Sequence, residues 1–308
     1  MRLAFYDFST SPYSWDFLSF LVCARAAGAN HVVFVPGERQ YQKLTKEQRD
    51  YRLKHLLIPL CEEYTLCETR EQARELCKGE VFPNGYTVEN VKERHMLGYV
   101  VRLGAMYPQP VKRGAEIRVK DWLRGEPPVT ITIRESPIRP ERNSNIPAWI
   151  KAAEWMEKKG LNVVFIPDTE GQVQEFGKFR VCKEAARGVN FRIALYDAAA
   201  LNLGIANGPP MACFYSYRPL LMFKPLIEGH WECSADYWVK QGIPPGVQPH
   251  WFTNAQRIVW FPDEAEVIVQ YVHKWGKVQA GKERWEDFQY PVYHYPPKPS
   301  NVAELKAA

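Results

Sequence analysis

Three arginines and several short polar side chains crowd the stretch 129–145, VTITIRESPIRPERNSN. Arg134 closes a run of alternating β-branched residues, and Arg139, Arg142, Asn143, Ser144 and Asn145 follow it directly before a helical pattern. A planar guanidinium donates two parallel N–H bonds to a phosphate, which an ammonium cannot do. The start of a helix adds unpaired N–H groups and the positive end of a dipole. The cluster therefore suits a diphosphoryl group held where a strand stops and a helix starts. The arginines also have Glu135 and Glu141 beside them, and surface ion pairs are the commonplace use of such residues.

Two further polar clusters follow strand-like runs: Asp168–Thr169 after VVFIP, and Asn207–Gly208–Pro209 after LGIA. In a parallel sheet such strand ends share one edge, so groups distant in sequence meet at the crevice where ligands bind. Gly208 lets the backbone approach a ligand closely, and the segment after it can offer N–H groups to a phosphate. Asp168 can accept from a ribose or a base, or cap the next segment. Near the start, Asp7 ends the first strand, with Ser9, Thr10, Ser11, Tyr13 and Asp16 close behind. Asp7, Asp16 and Glu135 are the candidate general bases for an acceptor hydroxyl. Each also has a local use, as a cap, a turn former or a partner for the arginines.

Other chemistries are missing. The chain has no GxxxxGK[ST], no GxGxxG after a strand and no GxSxG, the marks of phosphate-loop enzymes, dehydrogenases and serine hydrolases. It has no Asp-x-Asp pair and no CxxC array, so neither a catalytic metal, zinc nor a resident cofactor is expected.

The elements that must position these groups alternate strand and helix. A strand over Leu3–Tyr6, a helix over Trp15–Ala27 capped by Ser14, and a strand over His31–Val35 form a right-handed unit of parallel strands. Thr45 and Gln48 make a capping box for a helix over Lys46–Tyr64, which Pro59 bends or divides. A short strand at Thr65–Glu68, a helix at Arg70–Cys77, weak helical periodicity over Val88–Met106 and an extended segment over Val111–Val119 follow. Gly125, Pro127 and Pro128 mark a boundary. The second half repeats the pattern, with strands at Val129–Ile133, Asn162–Ile166, Leu203–Ala206 and Leu220–Pro225. Helices are expected at Ala148–Lys159, Asp197–Asn202 and Asp263–Lys274. The tail from Tyr290 is proline-rich and should run extended along the surface.

A chain of 308 residues with 46% hydrophobic content can bury two cores. Ten tryptophans are enough to line pockets or an interdomain face. A net charge of +5 suits an anionic ligand and falls short of the basic face that nucleic acid needs. The seven scattered cysteines and the lack of a secretory signal over Met1–Ser9 point to reduced thiols and a cytoplasmic setting. No apolar run is long enough to span a bilayer, which leaves peripheral membrane contact open.

ITIRESPIRPERNSN, VVFIPDTEG and LNLGIANGPP together resemble the nucleotide-binding half of GT-B glycosyltransferases, in the fucosyltransferase-like and heptosyltransferase-like branches. The resemblance covers Val129–Phe223; over Met1–Pro128 it is one of architecture only. It implies two Rossmann-like α/β domains facing a central cleft. The acceptor side would be 1–125, the nucleotide-sugar side 126–285, and 286–308 an extended tail. It also implies that Arg134, Arg139 and Arg142 hold the donor diphosphate with Asn143 and Ser144. Asp168 would then lie near the nucleoside, and Asn207, Gly208 and Pro209 would line the phosphate side. The His-x-Arg or Arg-Arg-x-Asp strand end of fucosyltransferases is absent, which leaves sugar and base open. The expected activity is metal-independent transfer from a nucleotide sugar to a glycan or other hydroxyl. The alternatives are a sugar-nucleotide epimerase or hydrolase on the same architecture, or a non-catalytic binder of a phosphorylated ligand.

Overall fold

The first half is laid out as β1 (Arg2–Asp7), α1 (Phe17–Ala26), β2 (Ala29–Val35), α2 (Lys46–Arg52), β3 (Glu63–Leu66), α3 (Arg70–Leu76), β4 (Val81–Phe82), α4 (Met96–Leu103) and α5 (Arg113–Leu123). The second half continues with β5 (Val129–Thr132), α6 (Ile146–Lys158), β6 (Val163–Ile166), β7 (Arg180–Val181), α7 (Lys183–Arg187), α8 (Val189–Ala198), β8 (Leu201–Ile205), α9 (Met211–Phe214), β9 (Leu220–Phe223), α10 (Ala235–Lys240), β10 (Gln256–Val259) and α11 (Ala265–Gln279). This computed structural model describes residues 2–38, 44–92, 96–104, 106–169, 171–227 and 229–288. The proline-rich run from Tyr290 lies outside them.

Among the described residues the strands form two sheets, with orders β3-β2-β1-β4 and β10-β9-β8-β5-β6-β7, and every pairing is parallel. Helices cover both faces of the second sheet. The alternation of Val129 and Ile131 with Thr130 and Thr132 therefore does not leave one face to water: all four residues are buried. Thr130 donates to Asn202 Oδ1 at 2.7 Å, and the Thr132 hydroxyl meets that of Tyr196 at 2.7 Å, so the threonines are satisfied beneath α8.

The local signals act where expected at several places. Thr45 and Gln48 close the capping box of α2. The chain around Pro59 leaves the α-helix for a π turn over Leu53–Leu57 and a 3-10 turn over Ile58–Leu60. Ser14 does not cap α1 as expected: the N-cap is Asp16, and the Ser14 hydroxyl instead bonds the Asp16 N–H and carboxylate.

Two expected elements are replaced by others, and one strand is unexpected. The segment expected to be extended over Val111–Val119 is helical in α5, where Ala115, Val119 and Leu123 recur every fourth residue and are buried. The expected helix over Asp197–Asn202 is the end of α8 and the start of β8. The last strand of the large sheet, β10, has no expected counterpart. α5 lies ahead of the division expected after residue 125 yet packs against α8. Arg180 reaches back to the carbonyls of Trp122 and Leu123 at 2.7 and 3.2 Å.

One apolar core joins the facing helices of both halves, running from Phe17, Leu21 and Val100 to Val119, Leu195 and Phe214. The Ser19 hydroxyl meets the Tyr215 hydroxyl at 2.7 Å within it. No helix among the described residues is long and apolar enough to cross a membrane.

Candidate functional site

In each sheet one central strand is followed by connections that leave to opposite sides. In the small sheet this is β1, between β2 and β4; in the large sheet it is β5, between β6 and β8. A crevice opens beyond the carboxyl end of such a strand because the helices diverge there. The residues after β1 are Phe8–Asp16, and those after β5 and β8 are the Arg134–Asn145 loop and Ala206–Pro210. These ends meet across two adjoining cavities of about 370 Å³ each. Asp7, Ser11, Tyr86, Arg142, Lys224 and Tyr237 are among the walls of the first, and Trp15, Tyr51, Arg134, Glu135, Asp168 and Arg192 among those of the second. Asp16, Arg142, Asn207 and Gly208 line both.

Within the arginine loop the side chains divide between loop-building and cavity-facing uses. The Arg134 guanidinium donates to the carbonyls of Ile138 (2.7 Å) and Arg139 (3.1 Å) and to Asn143 Oδ1. Burial pushes its pKa down, with repulsion from Arg142 adding to the effect. Asn143 Oδ1 also takes the Ser136 N–H at 3.0 Å, and Ser144 Oγ takes the Arg134 N–H at 2.9 Å. Arg134, Asn143 and Ser144 thus fold the loop on itself. The loop's far end is tied down by Asp263, whose Oδ2 accepts from the Asn145 N–H at 2.8 Å and Trp149 Nε1 at 2.6 Å. Arg139 and Arg142 both donate to Glu232 Oε2, at 2.6 and 2.9 Å, and Arg142 also reaches the Ala206 carbonyl at 3.3 Å. Arg142 alone of the three arginines faces both cavities.

The three candidate bases sit in different settings. Asp7 is 2% exposed. Its Oδ1 accepts from Ser9 N (3.0 Å), Ser9 Oγ (2.7 Å) and Arg70 Nη1 (3.0 Å), and its Oδ2 from Arg70 Nη2 (2.9 Å) and Tyr86 OH (2.8 Å). Burial, with the Asp7 charge beside it, drives the Tyr86 phenol far above its usual pKa, so it stays a donor. Asp16 is exposed, accepts from Ser14 Oγ at 2.9 Å, and stands at the head of α1 where the cavities join. Glu135 Oε2 takes the Val173 N–H at 2.9 Å, and Asp168 Oδ2 takes the Glu135 N–H at 2.9 Å. Those two carboxylates tie Glu135 to Asp168 on one side and to Val173 on the other.

Gly208 permits a close approach, and the group that approaches is a side chain of the first half. A Cβ here would lie 2.6 Å from Trp15 Cδ1 and 2.7 Å from Trp15 Cβ. Pro209 begins the turn into α9, whose first N–H groups (Met211, Ala212, Cys213) go to the carbonyls of Gly208, Pro209 and Pro210. Asn207 Oδ1 is buried and accepts no hydrogen bond among the described residues.

Three residues at the cavities were not singled out from sequence. Lys224 follows β9 and is 3% exposed, a strand-end position the same edge rule could have marked. Arg192 is 2% exposed in α8, donating to the Ala185 carbonyl at 2.7 Å and Tyr196 OH at 3.1 Å; a charge in the middle of NFRIALY was the signal. Glu232 carries no local signal, being some ninety positions from the arginines it bridges.

No family model and no curated protein matches this chain. Among solved structures it is similar to the glycosyl transferase family 9 protein from Veillonella parvula DSM 2008, at 10% identity and a TM-score of 0.48, over 93% of this chain and 91% of that one. It is also similar to E. coli ADP-heptose LPS heptosyltransferase II, at 11% identity and a TM-score of 0.42, over 91% of this chain and 78% of that one. The architecture follows from this chain's own two parallel sheets, each with its crevice turned to a shared cleft. The fold is α/β, with two Rossmann-like parallel sheets facing a cleft. An architecture of this kind hosts several activities, so function is taken from the site.

Proposed function

We propose that this chain transfers a sugar from a nucleoside-diphosphate donor to an acceptor hydroxyl, without a metal. The observation that carries the proposal is the joining of two strand-end crevices, one from each sheet, with Arg142 and Asp16 at the junction. The nucleoside occupies the second cavity, near Asp168 and Arg192, and the transferred sugar and acceptor occupy the first. Arg142 neutralises charge that builds on the leaving diphosphate, a task suited to a fixed guanidinium in a partly dehydrated cleft. A phosphate there competes with Glu232 for the Arg142 hydrogens. Asp16 takes the proton of the acceptor hydroxyl, being the exposed carboxylate of the three candidates, while Asp7 is spoken for by Arg70 and Tyr86. Glu135 braces its own loop. Seven unpaired cysteines suit a reducing, cytoplasmic setting.

A thermal-shift series with GDP, UDP, ADP, CMP and dTDP tests the donor site, since a ligand of the native state raises the melting temperature. One nucleotide should stabilise the protein, and Arg142→Ala should weaken it by about tenfold or more. Asp16→Asn should bind that nucleotide normally while losing on the order of 10²-fold or more in turnover. No shift with any nucleotide would overturn the proposal. Donor consumption that needs no acceptor would turn it toward a hydrolase or epimerase.

A further inference from the structure

The floor of the first cavity holds a buried cation that the proposed transfer does not use. Lys224 leaves the end of β9 and is 3% exposed, yet its side chain lines the cavity. Its Nζ has one hydrogen bond among the described residues, to Cys233 Sγ at 3.1 Å, and stands 5.5 Å from the Trp238 ring centroid. A sulfur is a weak acceptor and an indole face a partial one. No carboxylate among the described residues pairs with this ammonium. The acid closest in sequence to that sulfur, Glu232, is already shared by Arg139 and Arg142. Burial pushes the Lys224 pKa down and the Arg142 charge adds to it, while Cys233 and Glu232 oppose. An ammonium out of water with so little compensation is costly to the fold.

We propose that Lys224 recognises an oxyanion substituent, a carboxylate or a phosphate, on the sugar that occupies the first cavity. The proposal deepens the transferase assignment by making one of its two sugars acidic. Three features of the cavity agree with it. Lys224 lines the first cavity and not the second, so it stands on the sugar side and away from the nucleoside side. Tyr237 and Trp238 on α10 line the same floor, and aromatic faces of this kind pack against the apolar face of a sugar ring. Asn207 Oδ1, buried and without a donor, suits a neighbouring hydroxyl of the same ring.

The acid can reside on the acceptor or on the donated sugar, and the probes separate the two. Wild type and Lys224→Met are melted with glucuronate and glucose 6-phosphate against glucose, and with UDP-glucuronate against UDP-glucose. Lys224→Met keeps the stem's packing and removes the uncompensated charge, so it should melt no lower than wild type. The wild type should bind an acidic probe at least about tenfold more tightly than its neutral counterpart, and the variant should lose that preference. Preference among the free sugars assigns the acid to the acceptor; preference confined to the nucleotide-linked pair assigns it to the donated sugar. Equal response of the wild type to acidic and neutral probes overturns the proposal. So does a preference that survives in Lys224→Met, or a variant that melts well below wild type, which would make Lys224 a structural group. Selectivity for free sugar acids together with no response to any nucleotide would overturn the transferase assignment and leave the oxyanion site standing.

Discussion

Replacing Asp7 separates a structural carboxylate from a catalytic one. Five hydrogen bonds converge on its two oxygens, two of them from Arg70, at 2.7 to 3.0 Å, in a site that is 2% exposed. Removing one partner of a buried ion pair costs about 3–5 kcal/mol, chiefly because the other charge is stranded. The Arg70 side chain is 32% exposed and also holds the carbonyls of Pro36 and Val88, so water and backbone relieve part of that loss. The stranded Tyr86 hydroxyl adds about 1 kcal/mol. Asp7→Ala should therefore lose about 3 kcal/mol, equivalent to roughly 5–10 °C in melting temperature for a chain of this size. Urea titration of Asp7→Ala, Arg70→Met and the double variant measures it. The double variant should be less destabilised than the sum of the singles by about 1–3 kcal/mol. A loss below about 1 kcal/mol together with abolished turnover would refute the structural assignment and make Asp7 the proton acceptor.

Gly208→Ala places a methyl 2.6–2.7 Å from Trp15 and must push the indole or the 206–210 turn aside. About 1–3 kcal/mol should be lost, with a shifted tryptophan emission, and Trp15→Ala in the same chain should restore most of it. An unchanged melting temperature would show that the two halves do not meet there. Acid stability supplies another test. Glu283 accepts from Lys274 at 2.7 Å and Lys277 at 2.5 Å, which holds its carboxyl at about 2, below the ordinary range. A depressed folded pKa stabilises the fold fully above the ordinary carboxylate range, and that contribution fades as the pH falls toward about 2. Unfolding of Glu283→Gln should depend less steeply on pH across that window; matching slopes would contradict the pairing.

Much of the frame was legible because it rests on local signals. β5 and the arginine loop, the capping box at Thr45 and Gln48, and the strand ends at Asp168 and Asn207 all follow from short-range patterns. α5 was misread because Ile117 and Val119 favour strands, while its true signal is the four-residue spacing of Ala115, Val119 and Leu123. The partners of the charged groups were not legible. Residue type marked Arg134 and Arg142 as equals; both line the second cavity, and only the path of the loop commits the Arg134 hydrogens to its own carbonyls and brings Arg142 to both cavities. The use of Gly208 as a seat for Trp15 depends on how the halves meet, which no local pattern encodes.

The docking of α5 on α8 bears on how this chain can be divided. Arg118 lies 5.8 Å from the Phe191 ring centroid, and Arg218 donates to the Gln109 carbonyl at 2.8 Å, so residues ahead of the linker wall in the later half. A fragment starting at residue 126 would expose a greasy stripe around Phe191 and tend to self-associate. Excision upstream of Gln109 keeps that cover in place.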